Sequence, residues 1–351
     1  METQPLTWTV ACGLALAVVA GCLAQDAPDA SARQAAISDL LAGRFAWQMS
    51  PPLLGPVSTE GDTRYSVKDP SVVFDGQRWH VFCTVRGKER SHRIEHIAFA
   101  DWEHTAQATR QMLTMHGGFF CAPQVFYFTP HRKWYLICQA SSPDWSPEYG
   151  AAFATTDDVA NPGSWSALQP LGARPVGDNA GLDFWVICDD TKAHLFFTTL
   201  DGHMWREETT LTDFPHGWSE PVVAIEGDVF EASHTYRLRG LDQYLTLIEA
   251  QGGHGWRYYK AYLADRLDAE WRPLAASRDQ AFASMLNVQA PAERWTECIS
   301  HGELLRTGSD ERLEVDPAKL RFVFQGALDR DREGKPYGEI PWRLGLLEPV
   351  R

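Results

Sequence analysis

Three carboxylates stand at the heads of apolar runs in this chain: Asp69 in SVKDPSVVF, Asp183 in LDFWVICD and Glu231 in FEASHTY. A carboxylate carried unpaired into a core is costly, so each position asks for a reason. If folding gathers the three, their like charges raise at least one pKa. The set then holds what hydrolysis of a glycosidic bond needs: a carboxylic acid to protonate the leaving oxygen, and a carboxylate to activate water or attack the sugar. A third carboxylate can hold the acid's pKa up and orient it. The separation of the working pair sets the stereochemistry, about 5–5.5 Å for retention and roughly 6.5–9.5 Å for inversion. Acids on different elements facing each other across a shaft suit the wider gap. Each acid also has a plainer reading. An Asp before Pro is a common turn former, and Asp183 could cap a loop; Glu231, between Phe230 and Ala232, is harder to dismiss.

The elements that must position these residues repeat along the chain. SVVF and WHVFCT flank the turn signal Asp75-Gly76, which reads as a hairpin. APQVFYFTPHRKWYLICQA from Ala122, LDFWVICDDTKAHLFFTTL from Leu182 and FEASHTYRLRGLDQYLTLIEA from Phe230 follow the same plan, and a fifth unit from Ser300 has a longer connection. The head residues Asp69, Gln124, Asp183, Glu231 and His301 lie 48–70 residues apart, and Trp102, Trp165, Trp218 and Trp271, each after a third strand and a polar turn, recur every 53–63. Units of this size in an all-strand chain predict an all-β fold, a five-bladed β-propeller over residues 44–351. The fifth unit lacks a closing Trp, and Phe45-Ala46-Trp47-Gln48 resembles the missing strand, so the N-terminal segment is expected to close the ring and remove its open edges. Innermost strands run along the axis, which would bring the five head residues to one mouth of the central cavity. A lone His such as His301 is more often a satisfied core residue. Asp189-Asp190 reads as a solvated turn, and Glu249 and Glu303 follow strand periodicity.

The chain has 351 residues, 44% of them hydrophobic, enough for a full core. With 32 Lys and Arg against 46 Asp and Glu, a net charge of -14 and no basic stripe, nucleic acid is not expected as a partner. Fourteen Trp exceed what a core usually demands, and aromatic faces that stack on sugars are one use for the surplus. Residues 1–24 read as a secretory signal around the uncharged run Trp8–Ala24, although no Lys or Arg precedes it. Val19-Ala20-Gly21-Cys22 resembles a lipoprotein cleavage box, which would make Cys22 a lipid-bearing N-terminus, the only membrane contact foreseen; cleavage after Ala24 competes with it. Residues 25–43 read as a linker, with a helical pattern near Ala30 to Leu41. Cys83, Cys121, Cys138, Cys188 and Cys298 show no metal spacing and read as buried small hydrophobes, with room for one disulfide.

SVKDPSVV with WHVF, APQVFYF with WYL, DFWVICD, LFEAS, ISHGELLRTG and PWRLGLL resemble, in that order, the motifs of glycoside hydrolase family 62, α-L-arabinofuranosidases that remove arabinose from arabinoxylan. The resemblance runs from about Phe45 to the C-terminus. It implies a five-bladed propeller and an inverting, exo-acting secreted enzyme whose partner is arabinoxylan or its oligosaccharides. It further implies Asp69 as general base, Glu231 as general acid and Asp183 as the residue that tunes and positions the acid. Lys68, Gln124, Arg257 and Tyr337 would line the arabinose pocket. His301 would lie near a structural calcium ion, with no organic cofactor, although calcium prefers oxygen ligands. A related arabinanase or β-xylosidase, or a non-catalytic polysaccharide-binding propeller, are the alternatives. Two features depart from the family: Gly338 stands where it usually has Asn, and the cysteines that pair in some members have no evident partner for Cys188 around Thr191–His194 or Ala318.

Overall fold

The computed structural model describes residues 1, 30–252 and 256–350. The signal reading, Cys22 and the first residues of the expected linker lie outside the described residues. Within 25–43, Ala30–Leu41 is helical and packs on the turn Pro317–Lys319 in the long connection of the fifth unit, where Arg33 Nη1 lies 2.7 Å from Asp316 Oδ1.

Five antiparallel sheets surround one axis, as the repeat predicts. Blade one comprises Arg64–Phe74, Trp79–Gly87, His92–Phe99 and Thr109–Met112. Blade two comprises Phe120–Phe128, Lys133–Ser141, Tyr149–Thr156 and Gln169–Pro170. Blade three comprises Leu182–Cys188, Lys192–Thr198, His203–Thr210 and Val222–Glu226. Blade four comprises Glu231–Leu238, Tyr244–Gln251, Arg257–Ala264 and Arg272–Ala275. Blade five comprises Ser300–Leu304, Phe322–Gly326 and Arg343–Pro349. Its fourth strand is Trp47–Met49, antiparallel to Arg343–Pro349 with Met49 opposite Leu347. The N-terminal strand therefore closes the ring. Trp102, Trp165, Trp218 and Trp271 each sit between the third and fourth strands of their blade and are buried there.

The opening hairpin forms because Asp75 Oδ1 accepts from the backbone N–H groups of Gln77 and Arg78 while Gly76 takes φ +97°, a left-handed conformation that favours glycine. The long connection of the fifth unit is not a simple loop. Between Leu304 and Phe322 it crosses the mouth of the shaft opposite the strand heads and touches every other blade. Ser309 Oγ donates to Phe74 O, Tyr127 N donates to Ser309 O, Cys188 N donates to Glu311 O, and Glu314–Val315 pairs in parallel with Arg237–Leu238. Arg306 lies inside this plug, paired with Glu303 at 2.9 Å and donating to Val72 O and Val125 O. All five described cysteines are buried thiols with no disulfide among them.

Candidate active site

The mouth at the strand heads is built from a backbone irregularity repeated in every blade. The first hairpin of each blade is bulged at its inner end, after Lys68, Cys121, Leu182, Glu231 and Ser300. The next residue adopts a left-handed conformation in four blades: Asp69 φ 51°, Ala122 φ 50°, Asp183 φ 54° and Ala232 φ 52°. Such a backbone costs about 1–3 kcal/mol in a non-glycine residue, so the surroundings must hold it. They do so across blade boundaries. Thr84 Oγ1 accepts from Ala122 N, Gln139 Oε1 from Asp183 N, Glu249 Oε2 from His301 N and Gln325 Oε1 from Asp69 N, at 2.7–2.9 Å. Thr84, Gln139, Thr198, Glu249 and Gln325 hold matching positions on the five second strands, opposite the residue before each bulge. Only Thr198 makes no such bond; its Oγ1 is buried without a partner. In its place Asp183 Oδ2 accepts from Ala232 N at 2.9 Å, fastening the backbone beside Glu231.

In this frame Asp69, Asp183 and His301 share one phase, with Ala122 and Ala232 as their counterparts. Glu231 is one residue earlier and Gln124 two residues later than the shared phase the sequence suggested. Bulging rotates successive side chains, so residues of different phase still reach one cavity. Ligand atoms of Asp183, Glu231 and His301 lie within 4.8 Å of one another. Asp69 joins them: His301 Nδ1 is 3.3 Å from its Oδ1, and Lys68 Nζ is 2.9 Å from the same oxygen. Gln124 does not face the cavity and is corrected here from pocket wall to inter-blade staple. Its amide accepts from Val186 N and donates to Val186 O, both at 2.7 Å, and it is fully buried.

Arg257 also departs from a simple wall. Its Nη1 bridges Glu231 Oε1 at 2.6 Å and Glu249 Oε1 at 3.0 Å, and its guanidinium lies among four rings, 4.7 Å from Phe230, 4.6 Å from Trp256, 5.5 Å from Tyr337 and 5.8 Å from Trp342. Tyr337 stands on the rim, with Lys68 Nζ 5.5 Å from its ring centre. Glu249 and the aromatic collar of Phe230, Trp256 and Trp342 escaped the sequence reading. Glu249 had a signal: it is the cross-strand partner of Glu231 in the blade-four hairpin.

The electrostatics separate the acids. Burial pushes the Asp69 carboxyl up, but Lys68 and His301 overcome it and bring the group down to about 2. Asp183 goes the other way: burial, then the charges of Glu231 and Asp69, hold it well above the usual carboxylate range. Burial lowers His301 below its usual range, against the pull of Asp69 and Glu231. Accessibility differs too. The side chains of Asp69 and Asp183 are 3% and 5% exposed, whereas that of Glu231 is 14% exposed.

Three carboxylates and one imidazole meet here, but Asp183 is held towards its neutral form, Lys68 and Arg257 already pair with Asp69 and Glu231, and the imidazole offers nitrogen where calcium prefers oxygen. The residues present do not form a calcium cage, and no step below passes through a metal. A groove of about 1700 Å³ between the N-terminal helix and blade five contains none of these residues.

The sequence profile described as Glycosyl hydrolase family 62 matches residues 56–348. Alpha-L-arabinofuranosidase C of Cellvibrio japonicus is 40% identical over 311 residues, covering 86% of this chain and 46% of that protein, so the chain spans about half the length of this curated relative. The catalytic domain of the Coprinopsis cinerea GH62 α-L-arabinofuranosidase superposes with a TM-score of 0.82 at 37% identity, covering 88% of this chain and 98% of that one. The α-L-arabinofuranosidase of Podospora anserina, solved with cellotriose, gives 0.81 at 34%, covering 89% and 98%. A thermostable family-43 glycoside hydrolase, at 14% identity and a TM-score of 0.54, shares the fold.

Proposed function

Because the chain belongs to glycosyl hydrolase family 62, we propose that it is an exo-acting α-L-arabinofuranosidase that releases arabinose side groups from arabinoxylan with inversion. The observation that carries this reading is the pairing of one acid kept ionised, Asp69, with a second, Asp183, held well above the usual carboxylate range beside Glu231. Asp69, ionised across the working range, takes a proton from the attacking water. Asp183, held well above the usual carboxylate range by burial and then by the charges of Glu231 and Asp69, keeps a proton available beside Glu231. Glu231, the more open of the two, delivers it to the glycosidic oxygen. Asp183 stays behind, fixed to Ala232 N, and Arg257 lies ready to stabilise the Glu231 carboxylate that results. Lys68 and Tyr337 border the space for the sugar. The uncharged run Trp8–Ala24, read as a secretory leader cleaved after Ala24 or at a lipid-bearing Cys22, supports export of the enzyme to where such polysaccharides occur.

Proton NMR of arabinoxylan during digestion, with Glu231→Gln in parallel, tests the proposal. The β-anomer of arabinofuranose should appear first from α-linked side groups, and the variant should be slower by about 10²–10⁴-fold, the usual contribution of a general acid. Absence of arabinose with both proteins, or the α-anomer first, refutes it.

A further inference from the structure

We propose that Arg86 is a specificity-determining residue, a guanidinium on the rim of the pocket that binds a carboxylate carried by the polysaccharide beside the arabinose branch. This rests on the reading of the chain as an arabinoxylan-active enzyme.

Arg86 lies on the second strand of blade one opposite Ser66, two residues beyond the Lys68–Thr84 pair. Its guanidinium lies against Gly338: a Cβ built there would overlap Nη2. Position 338 therefore has no room for a side chain while Arg86 holds this place, and the guanidinium stands beside Tyr337. Arg86 Nη1 is 2.6 Å from His92 Nε2. Burial, then the charges of Arg86 and Lys68, bring His92 down to about 3, so the ring is a neutral acceptor that adds no charge. The His92 ring is itself braced edge-on by Phe119 at 4.6 Å.

Arg86 has this neutral partner and, among the described residues, no acidic one. Its neighbours differ: Arg64 and Arg93 pair with Asp62, Arg110 with Glu95, and Arg257 with Glu231 and Glu249. The Arg86 Nε is buried with no acceptor. In a chain of net charge -14 acids are plentiful, yet none is supplied here. A half-buried guanidinium held in place without a counter-ion is preorganised for an incoming anion, and its planar fork matches a carboxylate bidentately. The carboxylate that a xylan can bring to this rim is a uronic acid side group.

The test compares arabinoxylo-oligosaccharides with and without a uronic acid substituent near the arabinose. The wild-type enzyme should favour the acidic substrate about fivefold in kcat/KM, carried by KM and shrinking as salt rises, as for a partly exposed charge pair. Arg86→Gln should abolish the preference. Gly338→Asn, which displaces the guanidinium, should do the same and serves where Arg86→Gln fails to fold. An equal wild-type rate on both substrates, or an equal loss on both in the variants, overturns the proposal. If wild type releases arabinose from neither, the proposed function fails, and calorimetric titration with a uronic-acid-bearing xylo-oligosaccharide still decides this inference: binding lost in Arg86→Gln supports it, and no binding to wild type overturns it.

Discussion

Asp183 combines two tasks that are separate elsewhere in the ring. In four blade junctions a Thr, Gln or Glu on a second strand accepts the bulge N–H, whereas at the junction beside Glu231 the acceptor is Asp183 itself. Its Asn variant keeps an acceptor for Ala232 N but removes a negative charge facing Glu231. The sign follows from Asp183 itself: burial, then the charges of Glu231 and Asp69, hold its carboxyl well above the usual carboxylate range, and the Asn variant removes that raised group from the alkaline limb. Asp183→Asn should therefore move the alkaline limb of the kcat/KM profile to lower pH and slow turnover. The acidic limb belongs to Asp69, near 2, and should stay where it is. A pH–rate series on both proteins checks this; an alkaline limb that does not move would remove Asp183 from the proton inventory.

At the scale of the element, the unit of construction is a bulged hairpin whose head is fastened to the next blade. Gln124 belongs to this layer. Gln124→Ala leaves the buried N–H and C=O of Val186 without partners, at about 1–3 kcal/mol each. Denaturant unfolding should show a loss of roughly that size, while the KM for arabinoxylan stays close to wild type in the folded fraction. A KM that rises with little loss of stability would return Gln124 to the pocket. The case also shows what the sequence can say. The hairpins, the Trp that follows each third strand and the closing strand at Trp47 were legible because strand alternation and turn residues are local signals. So were Asp69, Asp183 and Glu231, which stand out as acids in apolar runs. The phase of the bulges was not, because it depends on bonds between blades: Asp69 N to Gln325 spans 256 residues. Glu249 and the collar around Arg257 were hidden for the same reason. Each reads as ordinary strand filler until the fold sets it beside Glu231.

Across the whole molecule, two devices oppose the opening of the ring. Trp47–Met49 supplies the last strand of blade five, and the 305–321 connection plugs the mouth opposite the acids by bonding to all four other blades. The plug is anchored by an ion pair whose side chains are 1% and 0% exposed, Arg306 and Glu303. Burial raises the Glu303 carboxyl to about 7 even with Arg306 nearby. Arg306→Met would leave Glu303 without its cation and strip Val72 O and Val125 O of their donor, a change worth about 3–5 kcal/mol for a broken buried pair. The pH dependence distinguishes the charge from the lost packing. An acid whose pKa is higher folded than unfolded binds its proton more tightly in the folded state, so stability rises as pH falls through the folded value and levels off below the unfolded one. In Arg306→Met the folded value rises further, so the stability deficit should be full above that raised value, shrink as pH falls from it towards 7, and level off below 7, where both proteins bind the proton. Glu303→Gln in the same background should remove that pH dependence. Urea unfolding followed by tryptophan fluorescence at pH 5 and pH 8 would measure all three proteins, and a deficit independent of pH would mean that the plug is held by shape and backbone bonds rather than by its buried charge pair.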